Sequence, residues 1–396
     1  MSHLGYMEKL LDGVEVEWKP LGELGELVRG NGLPKKDFTE SGVPAIHYGQ
    51  IYTYYGLSTT ETKSFVSLET AKKLKKVDTG DVVITNTSEN LEDVGKALVY
   101  LGKEQAVTGG HATIFKPSKD ILGKYFAYFT QSIIFSNEKR SYSKGTKVID
   151  VSATDMSKIN IPIPPLNVQN EIVRILDTFT ELTAELTAEL TARQQQYEYY
   201  REQLLTSFND DKTEIKTLKD IVIMKAGQHI SASKISANKS TSHIYPCFGG
   251  NGIRGFVDEK SHDGSYLLIG RQGALCGNVH RMSGEFYATE HAVVVTAKDG
   301  INIDWAFHKL TLMNLNQYAS KSAQPGLAVG KLAGLKVSVP SLDEQERIAA
   351  ILDKFEAITA SLTEGLPREI ELRQQQYEYY RDLLLSFPKP EVVAHD

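Results

Sequence analysis

Several polar side chains sit in glycine-rich stretches where paired hydrogen-bond donors and acceptors would meet a flat ligand edge. Asn251 and Arg254 lie in Gly-Gly-Asn-Gly-Ile-Arg-Gly at 249–255, and Arg271 and Gln272 lie between Gly270 and Gly273. Nearer the N-terminus, Lys144, Thr146 and Lys147 flank Gly145, and Thr85, Asn86 and Thr87 follow an apolar run. Lys321 and Gln324 fall in a similar polar stretch and suit a phosphate. Arginine, asparagine and glutamine are the side chains that satisfy a base edge in the major groove with two hydrogen bonds at once. A solvated loop uses the same residue types, so types and spacing alone leave both readings open.

Chemistry of bond making has less support. No phosphate-cradling Gly-rich loop with its lysine is present, no dinucleotide fingerprint, and no Asn-Pro-Pro-aromatic signature; Pro164 and Pro165 lack both the Asn and the aromatic. Glu61 with Lys63 and Glu214 with Lys216 have the spacing of a nuclease carboxylate and lysine, a pattern common by accident. His111 and His291 precede matching apolar runs, but no second Cys, His or carboxylate recurs at ligand spacing, so both are read as buried structural histidines and no metal site is assigned. Two cysteines, Cys247 and Cys276, make no disulfide framework and point to a reducing compartment, most simply the cytoplasm. No apolar run approaches the length of a membrane span.

The positions that would hold such loops are set by two long helical stretches. Leu176, Phe179, Thr183, Leu186, Leu190, Arg193, Tyr197, Tyr200 and Leu204 advance by 3 and 4 in alternation, the seam of a coiled-coil helix. Residues 167–208 contain neither Gly nor Pro and make a rod of roughly 60 Å at about 1.5 Å per residue. Its partner is in the same chain: residues 373–381 repeat residues 193–201 letter for letter, Arg-Gln-Gln-Gln-Tyr-Glu-Tyr-Tyr-Arg. Leu352, Phe355, Tyr377, Tyr380 and Leu384 are the matching seam, which makes the tyrosines helix-packing residues rather than stacking platforms. An internal duplication follows. Asn167 and Asp343 are the expected N-caps, the second with Glu346 in a capping box. The second rod carries four extra residues around Gly365 and Pro367, so the first helix should be continuous and the second bent or split there.

Between the rods, residues 15–160 and 209–340 read as two mixed α/β domains with curved, largely antiparallel sheets. Strands are expected at 45–48, 81–84, 97–101, 112–115, 265–269 and 292–296, and helices at 69–76, 124–135 and 305–315. Residues 1–14 resemble the tail of the long helix and should pack on the helical repeat, whose parts are 161–208 and 341–396. The net charge of −6 is unevenly shared: the two helical stretches hold 9 basic and 19 acidic residues, leaving 35 and 31 elsewhere. Acid on the rods and mild base between them permits contact with a polyanion.

Two unlike domains alternating with near-identical helices, a Pro-Pro-Leu or Pro-Ser-Leu lead-in, the tandem Thr-Ala-Glu-Leu tetrads at 183–190 and the repeated Arg-to-Arg nonapeptide together resemble the specificity subunit of Type I restriction-modification enzymes over essentially all 396 residues. The resemblance implies two target recognition domains, each reading one half of a split double-stranded DNA sequence, separated by two long antiparallel coiled-coil helices in a pseudo-twofold circular arrangement. It also implies a noncatalytic chain that docks two modification methyltransferase subunits and, where present, restriction/translocase subunits. S-adenosylmethionine, ATP and Mg would then reside on those partners alone. A single-chain nuclease or methyltransferase and a coiled-coil adaptor are the competing readings.

Overall fold

A computed structural model describes residues 10–206, 213–273, 275–321, 325–360 and 365–388. The chain forms two compact units, one of residues 1–185 with 370–396, the other of residues 186–369.

In the first unit the apolar runs become strands buried on both faces. Val82–Thr85 and Ala97–Tyr100 lie side by side in a five-stranded sheet with Gly25–Arg29, Ala112–Pro117 and Ser58–Thr59, antiparallel except for the last pair. Alternate side chains divide between two cores, as strand period 2 requires. Val82, Ile84, Val99 and Phe115 point to the core beneath the helices, whereas Val83, Leu98 and Ile114 point to a second five-stranded sheet. The second unit repeats the plan with two four-stranded sheets. Leu267, Ile269, Val293 and Val295 face the helices, and Leu268 and Val294 face the other sheet. Each domain is closed at its base by a two-stranded antiparallel ribbon joining its start to its end, Glu17–Pro20 on Asn160–Ile163 and Glu214–Thr217 on Lys336–Val339.

Several sequence expectations shift. The run at 45–48 ends as strand Val43–Ile46, and Tyr48 instead opens helix Tyr48–Thr53, capped by the His47 side chain. The helix expected at 69–76 is Leu68–Lys73, followed by strand Lys75–Val77. The one expected at 124–135 is two helices, Gly123–Phe129 and Ile133–Tyr142, divided where the Ser132 side chain caps the second.

The long helix runs unbroken from Leu166 to Thr206. Within the first unit Leu176 and Phe179 share a core with Tyr377, Tyr380 and Leu384, and Phe179 stacks on Tyr380 with centroids 5.3 Å apart. Leu10 and Leu11 pack on that core as well. Within the second unit Tyr197 and Leu204 pack with Leu352, and Tyr200 stacks on Phe355 at 5.6 Å. Leu186 and Leu190, in the tetrads, are half-buried. Tyr199 and Tyr379 depart from the seam reading and face solvent, 60% and 57% exposed.

The second rod is split into Leu342–Thr359 and Leu366–Leu384. Gly365 has φ +83°, and a Cβ there would lie 2.5 Å from the Ala357 carbonyl oxygen, so only glycine fits the break.

Neither expected cap residue caps. The first helix begins at Leu166, with Val168 and Gln169 donating to the Pro165 carbonyl, and the second begins at Leu342 after Ser341. A glutamine fixes each entry instead. Gln169, fully buried, accepts from the Leu122 N–H and donates to the carbonyls of Asp120 and Pro164, all at 2.9 Å. Gln345, its repeat, accepts from Asn302 N–H at 2.9 Å and donates to Gly300 and Pro340 at 3.2 and 2.9 Å.

A second pair of repeat positions ties domain helices to rods. Asp177 accepts from the Tyr128 hydroxyl and pairs with Lys124, both at 2.8 Å. Its counterpart Asp353 meets Arg281 and the fully buried His308, and Arg281 also reaches Glu356 at 3.0 Å and Asp304 at 3.2 Å. The side chains of His308, Asp353 and Glu356 converge closely enough to surround a cation, and the Arg281 guanidinium supplies one. Burial lowers the His308 pKa and raises that of Glu356. No helix among the described residues is long and apolar enough to cross a membrane.

Candidate nucleic-acid interface

Each domain carries the same backbone junction at one end of its helix-facing sheet. In the first, the Asn86 N–H donates to the His111 carbonyl and the Val151 N–H donates to the Asn86 carbonyl, both at 2.9 Å. In the second, the Arg271 N–H donates to His291 and the Leu327 N–H to Arg271, again at 2.9 Å. One residue further on, Thr87 lies opposite Asp150 and Gln272 opposite Gly326. Asn86 with Arg271, Thr87 with Gln272, His111 with His291, and the segment before Val151 with that before Leu327 are therefore equivalent places.

The second domain gathers most of its candidates here. Gln272 is exposed and Arg271 half-buried, its guanidinium 3.4 Å from the Glu290 carbonyl. Glycines at 250 and 270 let a hairpin close onto this loop, since a Cβ on Gly250 would lie 2.8 Å from the Gln272 carbonyl oxygen. The hairpin turn places Asn251 in solvent between strands Tyr245–Gly249 and Gly252–Val257, and Arg254 is exposed on the second strand. Lys321 is exposed on the segment that returns to Gly326, where Ser320 N–H donates to the Gly326 carbonyl. Gln324 lies outside the described residues.

The first domain differs. Thr85 and Asn86 are fully buried: Thr85 Oγ1 donates to the carbonyls of Asp93 and Lys96, and the Asn86 side chain donates to the Val151 carbonyl and accepts from Thr113. Fully buried and bonded inside the protein, these two hold the loop and present nothing to a ligand. Thr87 remains half-exposed. Strand Ile149–Asp150 pairs with Thr87–Ser88 and so brings exposed Thr146 and Lys147 to the same edge. Lys144 is exposed but pairs with Asp155 at 2.8 Å; the Asp155 carboxylate is held well below the usual range by hydrogen bonds from Lys144, Lys158 and Ser152.

Neither histidine is buried as expected. His111 is exposed, with Nδ1 3.0 Å from Thr87 Oγ1 and its ring 4.8 Å from that of Tyr48. His291 is half-buried, its Nε2 3.6 Å from Glu290. The exposure of His111 and its aromatic support have no sequence-local signal, because Tyr48 comes from the helix Tyr48–Thr53, far earlier in the chain. The two nuclease-like pairs have other uses: Glu214 and Lys216 bridge each other at 2.8 Å on the closing ribbon, and Lys63 lies 4.4 Å over the Tyr54 ring.

Comparison with known proteins places this geometry. A family model described as the Type I restriction modification DNA specificity domain matches twice, over residues 13–193 and 210–372. The EcoprrI specificity subunit of Escherichia coli is 49% identical over 92% of this chain and 93% of its own length. The EcoR124I/EcoR124II specificity subunit of the same organism is 34% identical over the full length of both. Among solved structures, the S subunit of a Type I restriction-modification system from M. genitalium aligns with TM-score 0.63 at 14% identity, covering 97% of this chain and 99% of that one.

Proposed function

Since the chain belongs to the Type I restriction-modification specificity family, we propose that its two domains each read their own half of a split double-stranded DNA target, the first the 5′ half and the second the 3′ half. The observation that carries this is the shared junction with unlike accessible side chains: around the same backbone hydrogen bonds one domain offers Thr87 and His111 and the other Arg271 and Gln272. One scaffold presenting two different sets of donors is what recognition of two different sequences requires.

The rods support a protein partner in two copies. Gln195 and Gln375, Glu198 and Glu378, Tyr199 and Tyr379 are identical, exposed and repeated on the solvent faces of the helices, although the domains have diverged. Helix packing does not explain identity on an outward face. Two modification methyltransferase subunits docking there explain it, with restriction/translocase subunits joining where the host encodes them. S-adenosylmethionine, ATP and Mg belong to those partners, and the assembly works in the cytoplasm.

The purified chain should neither bind S-adenosylmethionine nor cut DNA, and with its methyltransferase it should bind DNA sequence-selectively. Cofactor binding by the chain alone, or no selectivity in the assembly, contradicts the proposal. Substituting Arg271→Ala should relax one or two base pairs of a single half-site, by about 1–3 kcal/mol for a lost bidentate contact. Uniform weakening on every sequence would identify Arg271 as a backbone contact instead.

A further inference from the structure

We propose that His111 is a specificity-determining residue of the first domain, contacting a base edge through Nε2, with Thr87 and Tyr48 as its positioning residues. This rests on the reading of the two domains as DNA readers.

At the shared junction the second domain offers Arg271 and Gln272, whereas the first offers Asn86, whose amide is consumed inside the protein. The outward role at this place therefore passes to its neighbours. The accessible pair there is half-exposed Thr87 and exposed His111, and the histidine emerges in the domain where the adjoining amide has retreated. In the second domain His291 stays half-buried beside Glu290.

His111 is also held. The Thr87 hydroxyl engages Nδ1 at 3.0 Å, Tyr48 lies against the imidazole at 4.8 Å, and the Tyr52 hydroxyl donates to the Thr87 carbonyl at 2.5 Å. Tyr48 is itself flanked by His47 at 4.6 Å and Tyr52 at 6.2 Å. A side chain fixed by its neighbours loses little rotamer freedom on binding, which is the property of a reader rather than of a solvated loop residue.

With Nδ1 occupied, Nε2 is the free atom. If Thr87 donates to Nδ1, Nε2–H is a donor suited to guanine N7 or O6 or thymine O4. If Nδ1–H donates to Thr87, Nε2 is an acceptor suited to the amino group of adenine or cytosine. The strand pairing sets Asp150 opposite Thr87, and the exposed turn that leads into that strand carries Thr146 and Lys147, whose lysine suits a phosphate.

The test uses the full chain assembled with its methyltransferase on a library randomised through both half-sites, read by sequencing methylated molecules. His111→Ala should relax one or two base pairs of one half-site, leave the other half-site and the spacer unchanged, and leave the thermal unfolding profile unchanged. Thr87→Val should weaken the same preference at the same positions more mildly, and His111→Gln should change the preferred base there. Unchanged selectivity, or an equal loss on all sequences, overturns the assignment while the split target of the unsubstituted complex keeps the two-reader proposal standing. A target that is not split in the unsubstituted complex fails that proposal instead.

Discussion

Deleting residues 187–190 shortens the spacer between the two half-sites by about one base pair and leaves both half-site sequences intact. Four residues carry a helix forward by about 6 Å and around by about 400°, a net turn of 40° that is close to the rotation between adjacent base pairs. The change cannot be absorbed locally, because the helix is continuous from Leu166 to Thr206 and has no loop in which to hide a deletion. Nor does it dismantle a core: positions 187–189 are exposed and Leu190 is half-buried. The preceding tetrad is identical, so after deletion Leu186 stands where Leu190 stood, and the seam continues towards Tyr197 and Tyr200. Methylation mapping of the deletion variant checks this. New half-sites with an unchanged spacer would contradict the role of the tetrads as a length standard.

A large loss of stability from a single substitution that leaves side-chain volume nearly unchanged is expected at the two buried glutamines. Gln169→Leu leaves the Leu122 N–H and the carbonyls of Asp120 and Pro164 without the partner they have now, and Gln345→Leu does the same to Asn302, Gly300 and Pro340. Orphaned buried groups cost roughly 1–3 kcal/mol each, with part recovered by relaxation, so a loss of about 3 kcal/mol is expected from either change. Each should act on its own unit, because all three partners of each glutamine lie within that unit. Urea unfolding followed with a probe in each domain checks both points. A loss below about 1 kcal/mol, or equal effects of one substitution on both domains, would show that these glutamines are not the fasteners of the helix entries.

The parts of this molecule that are legible in the sequence are those with local or periodic causes. The 3-and-4 spacing of Leu176 to Leu204 depends only on neighbours along one helix, and the helix follows it. Gly365 and Pro367 declare a break by their own backbone limits, and the second rod is split there. What escapes is set by partners far along the chain. Asn86 reads as a loop residue after an apolar strand, yet its amide is claimed by Val151, 65 residues later, and by Thr113. His111 reads as buried because an apolar strand follows it, but the strand begins at Ala112 and the histidine stays outside.

The missed fasteners had a signal of another kind. Gln169 and Gln345 stand three residues after Leu166 and Leu342 in both copies, a repeated polar residue where a core face begins. The caps placed at Asn167 and Asp343 followed local preference, but each helix starts a residue before them and leaves its entry to the glutamine. Arg281 had no such signal. Its four partners come from the helices Ile303–Leu312 and Leu342–Thr359, and only folding brings them to one guanidinium.

Single-molecule mapping of every base methylated by the assembled complex tests the central claim most directly. Two short defined runs of unlike sequence, held at one fixed separation by a stretch in which any base is accepted, is the result predicted. A single uninterrupted recognition sequence, or two runs whose separation varies freely from site to site, would contradict it.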